Sequence, residues 1–120
     1  MQAQDINGSK MLVARLEDVD GGALAKAAGA ISEALGDPSA VVLASAPAGG
    51  GKVVIVTSFS DTLVKKKKMN AGKFVGGLAK ICGGGGGGKP GLAQAGGRNA
   101  EKLPEALDEA KAQLEEALGG

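Results

Sequence analysis

The residues that decide the fold are AVVLASA at positions 40–46 and VVIVT at positions 53–57, joined by PAGGGK. Both runs are short and rich in branched side chains, and glycine and proline residues separate them. Short apolar runs between such turn residues are typical of buried strands, and a connection of this length favours a hairpin. We therefore predict a hairpin of two buried strands.

The chain before this hairpin has the patterns of one strand and one helix. Apolar and charged residues alternate over Met11–Val19, which predicts a half-buried strand, and apolar residues recur at helical spacing over Gly22–Leu35. Asp18 and Asp20 precede the glycines between these elements, so we interpret them as turn and helix-start residues and not as a metal pair. Residues 1–9 are polar and are predicted to be a lead-in or linker.

The chain after the hairpin predicts two further helices. A lysine-rich connection over Thr62–Met69 leads to a helical apolar face between Ala71 and Cys82, six glycines follow, and a last amphipathic helix begins near Leu103. Pro104 is tolerated in the first turn of that helix. The predicted order is β-α-β-β-α-loop-α, an α/β (α+β) fold with helices packed on a small mixed sheet, and residues 10–120 are predicted to form a single domain.

Composition excludes most catalytic chemistry. The chain has no histidine and one cysteine, so zinc sites and acid–base mechanisms lose their usual residues, and we expect no metal, no cofactor and no catalytic residue. Cys82 ends an apolar helical pattern, which favours a buried, reduced thiol and a reducing compartment. No apolar run is long enough for a membrane span. These features predict a cytoplasmic protein with no membrane partner, and an organellar copy stays open as an alternative.

Positive charge is concentrated in one segment. The net charge is +1, but residues 65–98 carry eight lysines and arginines and no acid, whereas residues 1–64 sum to −3 and residues 99–120 to −4. An acid-free basic segment is typical of a surface that binds a polyanion. Only Phe59 and Phe74 are aromatic, which argues against base stacking on single strands and favours a structured RNA or duplex.

The glycine run Gly83–Gly88 has the spacing of a phosphate-binding P-loop when Lys89 is included, but Pro90 stands where magnesium binding needs serine or threonine. Nucleotide hydrolysis is therefore not expected. Two interpretations stay open: a flexible tether, or a loop whose backbone N–H groups and neighbouring cations meet a phosphate, sugar or base. The run Lys65–Lys68 is likewise either a solvated connection or a set of phosphate contacts.

The segment from Gly84 to Gly97 resembles a signature near the C-terminus of alanyl-tRNA synthetases. Glycines are followed by Lys89-Pro90, two further residues and Ala93-Gln94-Ala95-Gly96-Gly97. The resemblance implies the C-terminal, DHH-associated (C-Ala) domain, a non-catalytic part of the enzyme that grips the outer corner of alanine-specific tRNA and supports aminoacylation and editing by other domains. A homodimer through the parent protein is also implied, and binding of other structured nucleic acids is an alternative.

The candidate nucleic-acid site joins this motif to the basic segment. It comprises Lys65, Lys66, Lys67, Lys68, Lys73, Gly84, Gly85, Gly86, Gly87, Gly88, Lys89, Gln94 and Arg98. A rival hypothesis is a protein-interaction module in which the stripe of Leu107, Leu114 and Leu118 contacts a partner chain. A third, suggested by fold relatives, is a small-ligand sensor that uses the glycine loop.

Overall fold

The computed structural model describes residues 3–46 and 51–119. The strands are β1 Gln4–Ile6, β2 Ser9–Glu17, β3 Ser39–Ala46, β4 Val53–Phe59, β5 Gly85–Gly88 and β6 Leu92–Gly97. The helices are α1 Gly21–Leu35, α2 Asp61–Lys65, α3 Ala71–Ile81 and α4 Leu103–Gly119, with a 3-10 turn at Ala100–Lys102 before α4. The strands form one mixed sheet in the order β1-β2-β3-β4-β6-β5, and the predicted fold class is confirmed.

The predicted hairpin lies at the centre of the sheet. Strands β3 and β4 are antiparallel, and every residue of β3 is buried. The connecting residues 47–50 lie outside the described part of the chain. Strand β2 runs parallel to β3, and α1 makes the crossover between them. The Asp20 carboxylate accepts a hydrogen bond from the Ala23 N–H at 2.9 Å, which confirms its predicted role at the start of α1.

Helices cover the two faces of the sheet unequally. On one face, Leu24 and Ala28 of α1 pack against β3 and β4. On the other face, α3 and α4 bury a larger apolar cluster that extends from Met11 of β2 to Ala93 and Ala95 of β6. Strands β5 and β6 are therefore covered by α3 on one side, while exposed side chains of β6 lie on the other.

Three predictions at the ends and connections of elements are wrong. Residues 4–6 are not a lead-in, because β1 pairs antiparallel with β2 and places Gln4 opposite Met11. The glycine run is not a loop, since Gly85–Gly88 is a strand that pairs with β6. The lysine-rich connection contains α2, where Leu63 is fully buried. Strands β1 and β5 each pair with the strand that follows them across a short turn, whereas Leu63 of α2 packs into the core cluster. These contacts stabilise segments whose own sequences have no strong propensity.

The last helix uses its apolar stripe in the core. Leu114 and Leu118 are fully buried against the sheet, and Leu107 is partly buried beside them. The hypothesis that this stripe contacts a partner chain is therefore wrong. Cys82 is buried as predicted. Within residues 3–46 and 51–119, no helix combines the length and the hydropathy that crossing a membrane would require.

Candidate nucleic-acid interface

The glycine-rich hairpin formed by β5 and β6 lies at one edge of the sheet. Gly85 pairs with Gly96 and Gly88 pairs with Ala93 in an antiparallel register. Strand β5 is last in the sheet order and all four of its glycines are exposed. Because this strand has no side chains, its exposed surface consists of backbone alone.

Helix α3 packs unusually close behind this edge strand. A Cβ on Gly72 would lie 2.8 Å from the Gly88 carbonyl oxygen, and one on Gly76 would lie 3.2 Å from the Gly86 carbonyl oxygen. These two glycines are one helical turn apart, so they form a side-chain-free strip against β5. Glycine in α3 weakens the helix intrinsically, but here it permits the contact that holds the glycine strand in place.

The alternation of β6 separates a core side from an open side. Ala93 and Ala95 are buried in the cluster with α3, whereas Leu92 and Gln94 are exposed on the opposite face. The Gln94 amide lies against the first turn of α1, where a Cβ on Gly21 would overlap Gln94 Nε2. The site residue Gln94 is therefore accessible, and its position is held by the start of α1.

A shallow apolar cleft lies on the open side of the hairpin. It has a volume of about 310 Å³, and its lining includes Gly87, Gly88, Lys89, Leu92 and Gln94. Leu92 is 44% exposed, and among the described residues it is the exposed large hydrophobic side chain. Sequence reasoning passed over Leu92, because a single leucine in a glycine-rich motif gives no sign of its orientation.

One group of predicted cations lies at the α3 end of the hairpin. The Ala71 N–H donates to the Pro90 carbonyl oxygen at 2.8 Å, which holds the turn after β5 against the start of α3. Lys89 is in that turn, Lys73 is in the first turn of α3, and Lys65–Lys68 immediately precede this helix. The structure therefore brings these six lysines to one end of the sheet.

Arg98 lies at the other end. Its backbone N–H donates to the Cys82 carbonyl oxygen at 2.8 Å, beyond the end of α3. The six-residue rise from Leu92 to Arg98 corresponds to about 20 Å of extended chain, so Arg98 is well separated from Lys89. Val53 pairs with Gly97, which places Lys52 beside Arg98, and both line a cleft of about 320 Å³. Lys52 was missed because only the strand register connects it to the motif.

The predicted cations are not neutralised by close ion pairs. Across residues 3–46 and 51–119, the salt bridges involve Lys10, Arg15 and Lys102, none of which belongs to the candidate site. All seven lysines and arginines of the candidate site are exposed. Their charge is therefore available to attract a polyanion.

Two titratable groups near the site have shifted pKa values with structural causes. Hydrogen bonds from the Ser60 hydroxyl, then from the Thr62 hydroxyl and N–H, lower the pKa of Asp37, and Lys66 adds a smaller effect. Burial raises the pKa of the Cys82 thiol, and the charges of Glu101 and Glu105 raise it further. Cys82 is therefore a neutral core residue at physiological pH, and a thiolate nucleophile is not favoured there.

Comparison with known proteins defines the family. The DHHA1 domain model matches residues 8–116, and the chain belongs to this family. Within it, the chain is 58% identical over 118 residues to the alanine–tRNA ligase of Synechocystis sp. and 54% identical over 117 residues to that of Picosynechococcus sp.. It aligns over 98% of its own length but spans only 13% of each ligase.

Solved structures support the same conclusion. The chain is similar to the C-Ala domain of Aquifex aeolicus alanyl-tRNA synthetase, with a TM-score of 0.81, 28% identity and full coverage of both chains. The DHH domain of a protein described as a member of a ribosomal protein family shares the fold, with a TM-score of 0.62, 17% identity and 27% of that chain covered. The resemblance inferred from the Gly84–Gly97 motif is confirmed.

Proposed function

We propose that this domain binds alanine-specific tRNA at its outer corner through the glycine-rich hairpin and the cations at its two ends. The observation that carries the proposal is the exposed, side-chain-free strand Gly85–Gly88 between Lys89 and the Lys52–Arg98 pair. In a whole alanyl-tRNA synthetase, such a domain would hold one tRNA while other domains aminoacylate and edit it. The domain itself contributes binding and no chemistry.

The edge of β5 suits a folded RNA because of its hydrogen-bonding groups. Exposed peptide groups offer N–H donors and C=O acceptors, and the ribose 2′-hydroxyl can pair with either. Without Cβ atoms, these groups can approach a sugar, phosphate or base closely. Leu92 and Gln94 beside the strand add one apolar and one amide contact on the open face.

The cations supply attraction over the length of the hairpin. Lys89 and Arg98 are separated by about 20 Å, a span that covers several phosphates of an RNA backbone. Lys65–Lys68 and Lys73 extend the positive surface at the Lys89 end. Each phosphate contact should add about 0.7 to 0.9 to the magnitude of the salt slope of binding.

The test compares alanine-specific tRNA with a minihelix that keeps the acceptor stem but lacks the folded corner. Fluorescence anisotropy with each labelled RNA would give the Kd at several salt concentrations. We expect tighter binding of the intact tRNA and a salt slope of at least about 2 in magnitude, since several phosphates are contacted. Equal affinity for both RNAs would instead indicate a general nucleic-acid-binding domain.

Variants show which part of the surface is responsible. The double variant Lys89→Gln and Arg98→Gln removes one cation at each end, and we expect its tRNA affinity to fall on the order of 10-fold with a shallower salt slope. Lys111→Gln on α4 is the matched control, because Lys111 is exposed but lies among acidic residues of the last helix. A similar loss in the control would contradict the assignment of the hairpin.

A further inference from the structure

A second cleft lies on the other side of α3, away from the open face of the hairpin. It is formed where the start of α3 meets the last turns of α4, and its volume is about 330 Å³. Its lining consists of Phe59, Lys68, Met69, Asn70, Lys73, Phe74, Gln113 and Ala117. This volume is at the lower end of the range for small-molecule sites, so it suits a single planar group better than a helix or a folded domain.

Both aromatic residues of the chain meet in this cleft. The rings of Phe59 and Phe74 pack edge to face, with centroids 5.3 Å apart and an angle of 72° between their planes. Phe59 is 4% exposed, whereas Phe74 is only partly buried. Phe59 therefore fixes the orientation of the Phe74 ring, and Phe74 is the ring that a ligand can reach.

Cations surround this aromatic wall. Lys68 and Lys73 both line the cleft and both are exposed, and no acidic residue is among the lining residues. Lys68 has a backbone φ of 58°, a left-handed conformation that is uncommon for a residue other than glycine. It belongs to the cap that ends α2, in which the Met69 N–H donates to the Leu63 carbonyl oxygen at 3.0 Å, and this cap fixes the backbone of Lys68 beside the cleft.

A polar group completes the lining on α4. The side chain of Gln113 donates from Nε2 to the Glu109 carboxylate at 2.9 Å. This hydrogen bond fixes the orientation of the amide, because only its nitrogen can donate to a carboxylate. The amide nitrogen is thereby engaged, and the Gln113 carbonyl oxygen is the group left to accept from the amino group or ring N–H of a base.

We propose that this cleft accepts one unstacked nucleotide of the bound RNA, with its base against Phe74 and its phosphate between Lys68 and Lys73. The assignment rests on the proposed RNA-binding function and extends the contact surface around the start of α3. The scarcity of aromatics in the sequence argued against base stacking. The fold nevertheless places both rings and two of the cations in one cleft. One ring to stack on a base and two cations to meet a phosphate are sufficient for a single nucleotide.

The first test uses free adenosine monophosphate and inorganic phosphate as probes with the 120-residue chain. Two-dimensional NMR titrations at matched ionic strength would follow the amides of residues 68–74 and the Met69 methyl group. We expect the nucleotide to shift these signals through the ring current of its base, and inorganic phosphate to produce much smaller shifts near the lysines. Equal shifts from both probes, or nucleotide shifts confined to residues 85–97, would overturn the proposal.

Variants then separate stacking from charge. Phe74→Leu keeps an apolar side chain but removes the ring, and we expect nucleotide affinity to fall on the order of 10-fold, as for loss of base stacking. Lys73→Gln lies on the surface, leaves the core intact and should weaken nucleotide binding several-fold. Lys26→Gln on α1, in the opposite layer, is the control that should change nothing. The NMR spectrum of each variant verifies that it is folded.

Binding of intact tRNA distinguishes this inference from the proposed function. We expect Phe74→Leu and Lys73→Gln to weaken tRNA binding as well as nucleotide binding. If only the Lys89 and Arg98 variants weaken tRNA binding, the cleft assignment is wrong and the hairpin assignment stands. If the unchanged chain binds no tRNA even at low salt, the proposed function fails and the assignment of the cleft to bound RNA fails with it.

Discussion

The centre and the glycine edge of this sheet are built on opposite principles. Strands β3 and β4 consist of branched and small apolar residues, and helices cover both of their faces. Strand β5 consists of four exposed glycines and contributes no side chain to the core. The centre gains stability from buried apolar area, whereas the edge keeps its backbone accessible and depends on its neighbours for its shape.

This difference indicates that the centre of the sheet provides stability and that the glycine edge provides the binding surface. The edge strand is held by pairing with β6 and by the close approach of α3. Both β6 and α3 in turn contact β4 at the centre of the sheet. These two contacts hold a strand without side chains in place, and its glycines stay exposed. Substitutions in the centre should therefore affect stability, and substitutions at the edge should affect binding.

The same substitution at two leucines is the strongest test of this division. Leu43→Ala removes a fully buried side chain from β3 and should lower the free energy of unfolding by about 2–5 kcal/mol. Leu92→Ala at the exposed edge should change it by less than about 0.5 kcal/mol, but should weaken tRNA binding. Urea unfolding followed by circular dichroism measures the first effect, because the chain has no tryptophan or tyrosine for fluorescence.

Equal destabilisation by the two leucine variants would contradict the division. So would a loss of tRNA affinity in Leu43→Ala under conditions where that variant is fully folded. The tRNA affinity of Leu43→Ala is therefore measured at low temperature and without denaturant, together with its circular dichroism spectrum.

Two glycines of α3 test how the edge is supported. Gly72→Ala would place a Cβ 2.8 Å from the Gly88 carbonyl oxygen, so we expect a loss of about 1–3 kcal/mol in stability and weaker tRNA binding as β5 moves outward. Gly77→Ala is the matched control, since a Cβ on this exposed glycine would meet no neighbouring atom within 4 Å. The control should gain up to about 1 kcal/mol from helix propensity alone. Urea unfolding and tRNA anisotropy distinguish the two variants, and stabilisation of both would show that α3 does not support the strand.

The centre could be predicted from sequence and the edge could not, for a physical reason. The patterns over residues 40–57 reflect burial, which acts on side chains and is visible as continuous apolar runs between turn residues. Strand β5 has no side chains to form such a run, and its strand conformation depends on the register with β6 and on Gly72 and Gly76. The motif at Gly84–Gly97 identified the family, yet only the structure shows that it forms a hairpin.

Only part of the candidate site could be predicted from the sequence, and the reason is the same. Gln94 and Lys89 were found because they belong to the motif, and Lys65–Lys68 because a charge run is visible in sequence. Lys52 joins Arg98 only through the pairing of Val53 with Gly97, and Phe59 meets Phe74 only through the packing of α3 on β4. Contacts between residues distant in the chain leave no local signal in a single sequence.

The far end of the hairpin offers a smaller test. Lys52→Gln and Arg98→Gln each remove a cation from the cleft at Gly96–Gly97, and each should reduce the magnitude of the salt slope of tRNA binding by about 0.7 to 0.9 with little change in stability. Anisotropy titrations at several salt concentrations measure the slope. An unchanged slope in both variants would restrict the interface to the Lys89 end.

The smallest expected effect concerns Asp37. This residue follows α1, and its carboxylate accepts hydrogen bonds from Ser60 and Thr62 at the start of α2. Its pKa is lowered by the Ser60 and Thr62 hydrogen bonds, so its contribution to stability is present above its usual pKa of 3.8 and is lost as the pH falls through the lower folded value. Asp37→Asn should therefore make the fall in stability below about pH 4 less steep, because the group that takes up a proton on unfolding is gone. Urea unfolding at about pH 3 to pH 6, on either side of the carboxyl pKa, measures the effect.

Asp5→Asn is the comparison for Asp37→Asn, since Lys10 and Gly8 likewise lower the pKa of Asp5 but at the opposite sheet edge, on β1. Binding of tRNA at neutral pH should be the same in both variants, because neither carboxylate belongs to the hairpin or to its cations. A loss of tRNA affinity in Asp37→Asn alone would mean that α2 and Lys65–Lys68 must be held by Asp37 to bind RNA. The interface would then extend beyond the edge strand and into the connection that follows the centre.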